Sequence, residues 1–287
     1  MPELPEVEIL RRGLQKAIVG KTIKDIEVRH SKSFPESAEE IIGTKVKSVA
    51  RRAKLLYLPL SNGKSLVIHL KLTGQLIYSK NSPQAGGVVG GHPQKVYDLP
   101  PPHKHTHVII EFSDGSHLYF NDLRKFGWMK VTEHGKEQAT MAGELGVEPF
   151  SKDFNAENLR RYAERRGKIL IKQFLMDQNI IAGIGNIYSD EILWCSKINP
   201  FRKAGDVPPE GWDKVVKCTT NVLKQAIEVG GTSFSSFRHL SGSQGKFYDL
   251  AKAYQKTGKP CVRKDGGVIE RKKIGGRSAH FCPVCQH

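Results

Sequence analysis

Residues 1–20 read MPELPEVEILRRGLQKAIVG and hold both a helix and an unusual reagent. Pro5 suits a first helical turn, Glu6 and Glu8 favour its positive end, and Val7, Leu10, Leu14 and Ile18 recur at helical spacing. A helix over residues 5–19, stopped by Gly20, is therefore expected. Removal of Met1, favoured when a small residue follows, leaves Pro2 as a free secondary amine at the head of that helix. With an α-amino pKa near 7.7–8.0, about 10–15% of such an amine is unprotonated at pH 7, against roughly 0.04% of a lysine. Attack of a secondary amine on an aldehyde carbon ends in a cationic iminium, whose charge acidifies the neighbouring C–H and promotes elimination. Glu3 and Glu6 are close enough in sequence to serve the proton transfers.

Beyond this helix the hydrophobic period falls to two, in segments such as 54–60, 65–72 and 107–112, with Ser113-Asp114-Gly115 turning into 117–121. Residues 1–131 thus form a β-rich domain. The glycines and prolines between Ser79 and His105 argue for a long surface loop without a regular element. After Pro149 the pattern is helical, with Asn155 as a cap, Leu159, Tyr162 and Ala163 on one face, and a further helix over about 209–229 stopped by Gly230-Gly231. This gives a helical domain over 132–257. From Gly258 the composition turns to glycines, basic residues and three cysteines, a small appended module over 258–287.

The chain has 287 residues and a formal charge of +16, its basic residues spread over the whole length. Neutralising phosphates releases counterions, so nucleic acid is the expected polyanion, ahead of a membrane surface, which would call for one basic amphipathic helix. No apolar run approaches a membrane span, and the acidic start is not that of a secretion signal. Five cysteines, an odd number in a chain too long to need staples, point to free thiols in a reducing, cytoplasmic setting. Gly183-Ile184-Gly185-Asn186 is not a dinucleotide loop, since Tyr188 stands where a third glycine belongs; its glycines suit a tight turn that offers N–H groups and the Asn186 side chain to a phosphate at a helix N-terminus.

The opening Met1-Pro2-Glu3-Leu4-Pro5-Glu6-Val7-Glu8 resembles that of the formamidopyrimidine-DNA glycosylase (Fpg, MutM) family. The likeness continues through Arg51-Arg52-Ala53-Lys54, His69-Leu70, Asn121-Asp122-Leu123-Arg124-Lys125-Phe126-Gly127, Ala182-Gly183-Ile184-Gly185-Asn186-Ile187-Tyr188 and the cysteine module. It implies an α+β multidomain fold: an N-terminal β-sandwich flanked by helices, a helix-two-turn-helix domain, and a C-terminal β-hairpin finger. It also implies a monomeric glycosylase and abasic-site lyase that excises 8-oxoguanine and formamidopyrimidines from double-stranded DNA. Pro2 would then attack the sugar C1′, Glu3 would handle the ring oxygen, Glu6 would assist, and Lys54 would stand at a β-turn near the damaged nucleotide.

A flipped nucleotide leaves a hole that apolar or planar groups must fill, and the resemblance gives this task to Leu72, Arg124 and Phe126. It gives phosphate contacts to His105, Lys172, Asn186 and Arg277. The family carries two Cys-x2-Cys pairs that bind zinc. Here Cys282-Pro283-Val284-Cys285 is intact, but Cys261 lacks its partner, and Asp265 stands where that ligand would be, one residue further on. A site of Cys261, Asp265, Cys282 and Cys285, with His280 a less well placed substitute, and a zincless hairpin held by packing are the two readings. Alternative functions are an endonuclease VIII-like glycosylase for oxidised pyrimidines, disfavoured by Leu4, and a DNA-binding protein without catalysis. Two departures bear on lesion choice: residues 233–237 lack the family's lysine, and Tyr254-Gln255 replaces Tyr-Gly.

Overall fold

The computed structural model describes residues 2–80, 88–91, 101–141, 143–232 and 245–287. They form two compact units, Met1–Gly143 with Ile227–Tyr248, and Glu144–Ala226 with Asp249–His287.

The first unit opens with helix α1 (Leu4–Ile18), as the apolar spacing requires. Nine strands follow: β1 (Ile23–Val28), β2 (Ala50–Arg52), β3 (Leu55–Pro59), β4 (Lys64–His69), β5 (Gly74–Ser79), β6 (Val88–Gly91), β7 (Thr106–Phe112), β8 (His117–Asp122) and β9 (Trp128–Glu133). They make an antiparallel sheet in the order β1-β7-β8-β5-β6 and a second in the order β2-β3-β4-β9. Leu56, Leu66, Ile68 and Met129 of the second sheet meet Leu76, Val108, Ile110 and Phe120 of the first in one core, joined by Leu10, Leu14 and Ile18 of α1. This is the expected β-sandwich with a flanking helix. Strands β5, β7 and β8 are buried on both faces, because Ile77, Ile109 and Tyr119 form a satellite cluster away from the main core. The loop expected between Ser79 and His105 is corrected at 88–91, where β6 pairs with β5 from Gln75↔Gly91 to Tyr78↔Val88; backbone ladder bonds hold a Gly-rich edge strand that side-chain patterning does not reveal. Residues 81–87 and 92–100 of that loop lie outside the described residues.

The second unit holds α2 (Ala156–Arg165), α3 (Ile171–Met176), α4 (Asn186–Ser196), most of α5 (Pro209–Glu228), and the hairpin β10 (Glu270–Ile274) and β11 (Arg277–Phe281). Asn155 caps α2, accepting from the Asn158 N–H at 2.9 Å, as its residue type suggests. Trp212, Val215, Thr219, Leu223 and Ala226 are the buried face of α5. Strand β9 runs to Glu133, past the expected boundary at 131, and the finger residues fold in the same unit as α4. The expectation that the cysteines are kept reduced is corrected at one pair: Cys195, at the end of α4, and Cys218, within α5, form a disulfide with Cα atoms 5.8 Å apart. The bond joins α4 to α5, and a separation of 23 residues carries no sign of it.

Glu8, on the outer side of α1, accepts from Arg11 at 2.9 and 3.0 Å, Arg12 at 2.8 Å and Arg51 at 3.2 Å. Burial alone would raise its carboxyl, but the bonds from Arg11 and Arg12 outweigh that and hold it at about 2. The folded value lies below the unfolded one, so Glu8 stabilises the fold above about pH 4.3 and loses that contribution as pH falls toward its folded value. The melting temperature of Glu8→Gln is expected to fall below that of the parent near neutral pH and to converge with it in acid; a gap that persists unchanged at low pH would rule out this ion cluster.

Candidate functional site

Glu3 is the N-cap of α1, and it forms a capping box with Glu6: the Glu3 side chain accepts from the Glu6 N–H, while Glu6 Oε2 accepts from the Glu3 N–H at 2.9 Å. The other oxygen of Glu6 accepts from the N–H and the hydroxyl of Thr232, each at 2.9 Å. Gly231, at φ +76°, brings the chain so close that a Cβ there would stand 2.8 Å from Glu6 Oε1. Both oxygens of this buried carboxylate are thus committed as acceptors. Glu6 is thereby tied both to the backbone beside Pro2 and to Thr232. Sequence inspection missed Thr232, whose signal was its position directly after the Gly230-Gly231 helix stop. The departure noted at 233–237 lies outside the described residues.

A second buried acid organises the residues expected to fill a vacated base position. Asp122, fully buried at the end of β8, accepts from the Thr73 hydroxyl and the Arg124 N–H through Oδ1, and from the Gly127 N–H at 2.6 Å through Oδ2. The Arg124 N–H also reaches the Thr73 hydroxyl at 3.1 Å. The turn carrying Leu72 and the loop carrying Arg124 and Phe126 are therefore fastened to one carboxylate. Phe126 is 53% exposed, unusual for a phenylalanine, with the Arg124 guanidinium 5.0 Å from its ring centre. His105 joins the same assembly, its carbonyl accepting from the Asp122 N–H at 3.0 Å; burial first, then Lys104 and Lys125, keep its ring below the usual histidine range.

Lys54 sits in the tight turn between β2 and β3, where Ala53 takes φ +54°, and is largely buried. His69, at the end of β4 opposite Leu55, accepts the Lys71 N–H on Nδ1 at 2.9 Å. Burial, with the charges of Lys71 and Lys54, pushes its pKa down to about 3, so it is a neutral ring at pH 7.

In the second unit, Gly183 at φ +105° lets the chain turn into α4, and Gln178 braces that turn through the Gly183 N–H at 2.9 Å and the Ile184 carbonyl at 2.7 Å. Asn186 is the first residue of α4, and its side-chain oxygen is buried without a hydrogen-bond partner. Arg277 is exposed at the start of β11, beside a turn of Gly275 and Gly276 that both have positive φ. Lys172 is placed otherwise than expected. It is 0% exposed and donates to Asp190 at 2.5 Å, Ser189 at 3.0 Å and the Asn186 carbonyl at 3.3 Å. Asp190 takes the His280 N–H at 3.0 Å and its Nδ1 at 2.8 Å on the other oxygen, so one buried acid ties α3, α4 and β11. Its neighbour Glu191 accepts three successive N–H groups, of Lys252, Ala253 and Tyr254. Neither acid was among the expected site residues.

His280 is thereby committed to Asp190, which leaves four donors for a metal. One ligand atom from each of Cys261, Asp265, Cys282 and Cys285 lies within 4.8 Å of the others. A tetrahedral zinc with sulfur at about 2.3 Å and oxygen at about 2.0 Å spaces two sulfurs by roughly 3.8 Å and a sulfur from an oxygen by roughly 3.5 Å. The Cys261 and Cys285 sulfurs are 3.9 Å apart, and the Cys282 sulfur is 3.6 and 3.7 Å from the Asp265 oxygens. The set fits the ion. Asp265, held at about 2 chiefly by the Gly267 N–H, is always a carboxylate, whereas burial pushes the Cys285 thiol up to about 12, so metal must displace its proton.

Residues 1–129 match the family of the formamidopyrimidine-DNA glycosylase N-terminal domain, and residues 145–238 that of the formamidopyrimidine-DNA glycosylase H2TH domain. Formamidopyrimidine-DNA glycosylases of Ligilactobacillus salivarius and Streptococcus pneumoniae are 38% and 37% identical to the chain, in alignments covering 100% of it and 99% of each relative. Among solved structures, a Lactococcus lactis Fpg with DNA containing an abasic site superposes with a TM-score of 0.85 at 31% identity, covering 99% of both chains. A variant of the same protein with DNA containing Fapy-dG gives 0.86 at 31%, covering 100% of both.

Because the Lys172 ammonium is buried in an ion pair, Lys172→Met is expected to destabilise the protein by about 3–5 kcal/mol in chemical unfolding, leaving Asp190 uncompensated. Unchanged stability with a shallower salt dependence of DNA binding would instead return Lys172 to the phosphate backbone.

Proposed function

Since this chain belongs to the formamidopyrimidine-DNA glycosylase family, we propose that it excises 8-oxoguanine and formamidopyrimidines from duplex DNA in base excision repair and then cleaves the abasic site, with the Pro2 amine as nucleophile. The observation that carries the mechanism is the double use of Glu6, which seats the Glu3 backbone, and with it Pro2, against the turn at Thr232. A nucleophile held in a fixed pose does not have to be ordered during the reaction.

The Pro2 nitrogen lone pair forms a bond to C1′ while the glycosidic bond breaks and its electrons leave with the base, which takes up a proton. Glu3, at the head of α1, serves the opening sugar oxygen. Loss of the Pro2 N–H proton and expulsion of the ring oxygen give an iminium between Pro2 and C1′. Its charge acidifies C2′–H, and loss of that proton expels the 3′ phosphate; a second elimination expels the 5′ phosphate. Lys54 supplies positive charge beside the flipped nucleotide. His69, neutral, adds none.

Leu72, Arg124 and Phe126 fill the vacated place, and the alignment enforced by Asp122 makes them act together. Asn186 donates its side-chain NH2, with the N–H groups of the α4 N-terminus, to the backbone, and His105 and Arg277 add phosphate contacts. Lys172 acts behind Asn186 as a positioning residue. Zinc, bound by Cys261, Asp265, Cys282 and Cys285, would hold the base of the hairpin that carries Arg277. The protein acts as a monomer in the cytoplasm, where the chromosome lies; among the described residues no helix is long and apolar enough to cross a membrane.

Borohydride is expected to trap a covalent complex with duplex DNA containing 8-oxoguanine, and protein that retains Met1, or carries Pro2→Gly, is expected to lose it. Trapping at full yield with Met1 in place would move the nucleophile to a lysine, Lys54 first. Arg277→Ala is expected to weaken binding to all duplexes and to flatten the salt dependence by about one unit of slope; an unchanged slope removes Arg277 from the interface.

A further inference from the structure

Resting on the metal reading of Cys261, Asp265, Cys282 and Cys285, we propose that Arg263 and Trp194 form the outer shell of that centre, donating N–H groups to its sulfurs, with Arg263 offsetting one of its excess negative charges. Three thiolates and one carboxylate around a divalent ion leave two negative charges in excess. The sulfurs are nearly out of water, with Cys282 0%, Cys261 3% and Cys285 8% exposed, so the excess must be met by protein donors.

Arg263 is placed for this by contacts on every side. Its Nη1 donates to the Cys285 sulfur at 3.1 Å, its Nη2 donates to the Cys195 carbonyl at 3.2 Å, and its guanidinium lies 3.7 Å from the Trp194 ring centre. A planar cation stacked on an indole and forked onto two acceptors is fixed in orientation as a lysine would not be.

Trp194 supplies the independent observation. It packs against the cluster of Cys261, Cys282 and Cys285, and its Nε1 is buried with no hydrogen-bond partner. A buried N–H without an acceptor is costly, and the cysteine cluster is what Trp194 packs against. A neutral thiol accepts weakly, whereas a metal-bound sulfur carries negative charge and accepts well. Metal binding thus completes the hydrogen bonding of Trp194 as well as the coordination sphere.

The test uses full-length protein, stripped of metal by a chelator under reducing conditions and titrated with cobalt(II) alone, with the sulfur-to-cobalt absorption as readout. The parent is expected to bind one cobalt per chain. Arg263→Met is expected to bind about 10–100-fold more weakly, as outer-shell losses do, with Arg263→Lys recovering part of the loss through charge. Trp194→Phe keeps an aromatic ring but removes the indole N–H with its five-membered ring; its absorption band is expected to move to lower energy as the sulfur that loses the donor becomes richer in electrons. If the parent binds cobalt while Arg263→Met and Trp194→Phe match it in affinity and band position, the outer shell is refuted and the metal site stands. If the parent binds none, the metal reading fails and takes this inference with it.

Discussion

A carboxylate removed from water must find donors for both its oxygens, and the donors nearest to hand in a folded chain are the N–H groups of turns. Glu6, Asp122, Asp190 and Glu191 are all between 0% and 3% exposed, and each accepts backbone N–H groups, those for Glu6, Asp122 and Glu191 from residues outside the strands and that for Asp190 from His280 in β11. Satisfying the acid and shaping the loop are the same act. Glu6 fixes the helix start that carries Pro2; Asp122 fixes the two turns that carry Leu72, Arg124 and Phe126; Asp190 joins the helix that starts at Asn186 to the strand that starts at Arg277. Removing any of these acids would free a loop and leave its N–H groups unpaired, so position and stability cannot be separated at these points.

The same constraint sorts the cations. A charge of +16 attracts a polyanion but does not say which side chains touch it. Arg124 and Arg277 are exposed, while Lys172 has its ammonium sealed against Asp190 and holds the Asn186 carbonyl from behind. Around the first unit, Glu8 gathers Arg11, Arg12 and Arg51, so part of the positive field is spent on the outside of α1.

What could be read from residues alone follows from range. Helix α1, the cap at Asn155 and the buried face of α5 rest on contacts within a few residues, and spacing reports those directly. The Gly275-Gly276 turn rests on backbone conformation, which two glycines announce. Burial of Lys172 depends on Asp190, 18 residues on, and on His280, 90 further, and no local pattern records it. The Cys195–Cys218 bridge and the pairing of β6 are long-range in the same sense. The bond of Glu6 to Thr232, 226 residues away, is of the same kind.

In the finger, Asp265 stands with Cys261, Cys282 and Cys285 in a group that could hold a metal ion. An aspartate differs from cysteine in having two oxygens, one of which can be given to the fold. Asp265 Oδ1 accepts from the Gly267 N–H at 2.8 Å, which closes the extra residue of this knuckle into a tight turn. That turn requires Gly267, where a Cβ would stand 2.4 Å from the Cys282 sulfur and 2.9 Å from Asp265 Oδ1. Gly266, at φ +79°, accommodates the preceding bend. The insertion that displaced the ligand position by one residue is absorbed by two adjacent glycines and a carboxylate that is both donor atom and turn brace. Residue 265 can therefore be aspartate only because 266 and 267 are glycine, and a change at either should act on the metal donors before it acts on the hairpin.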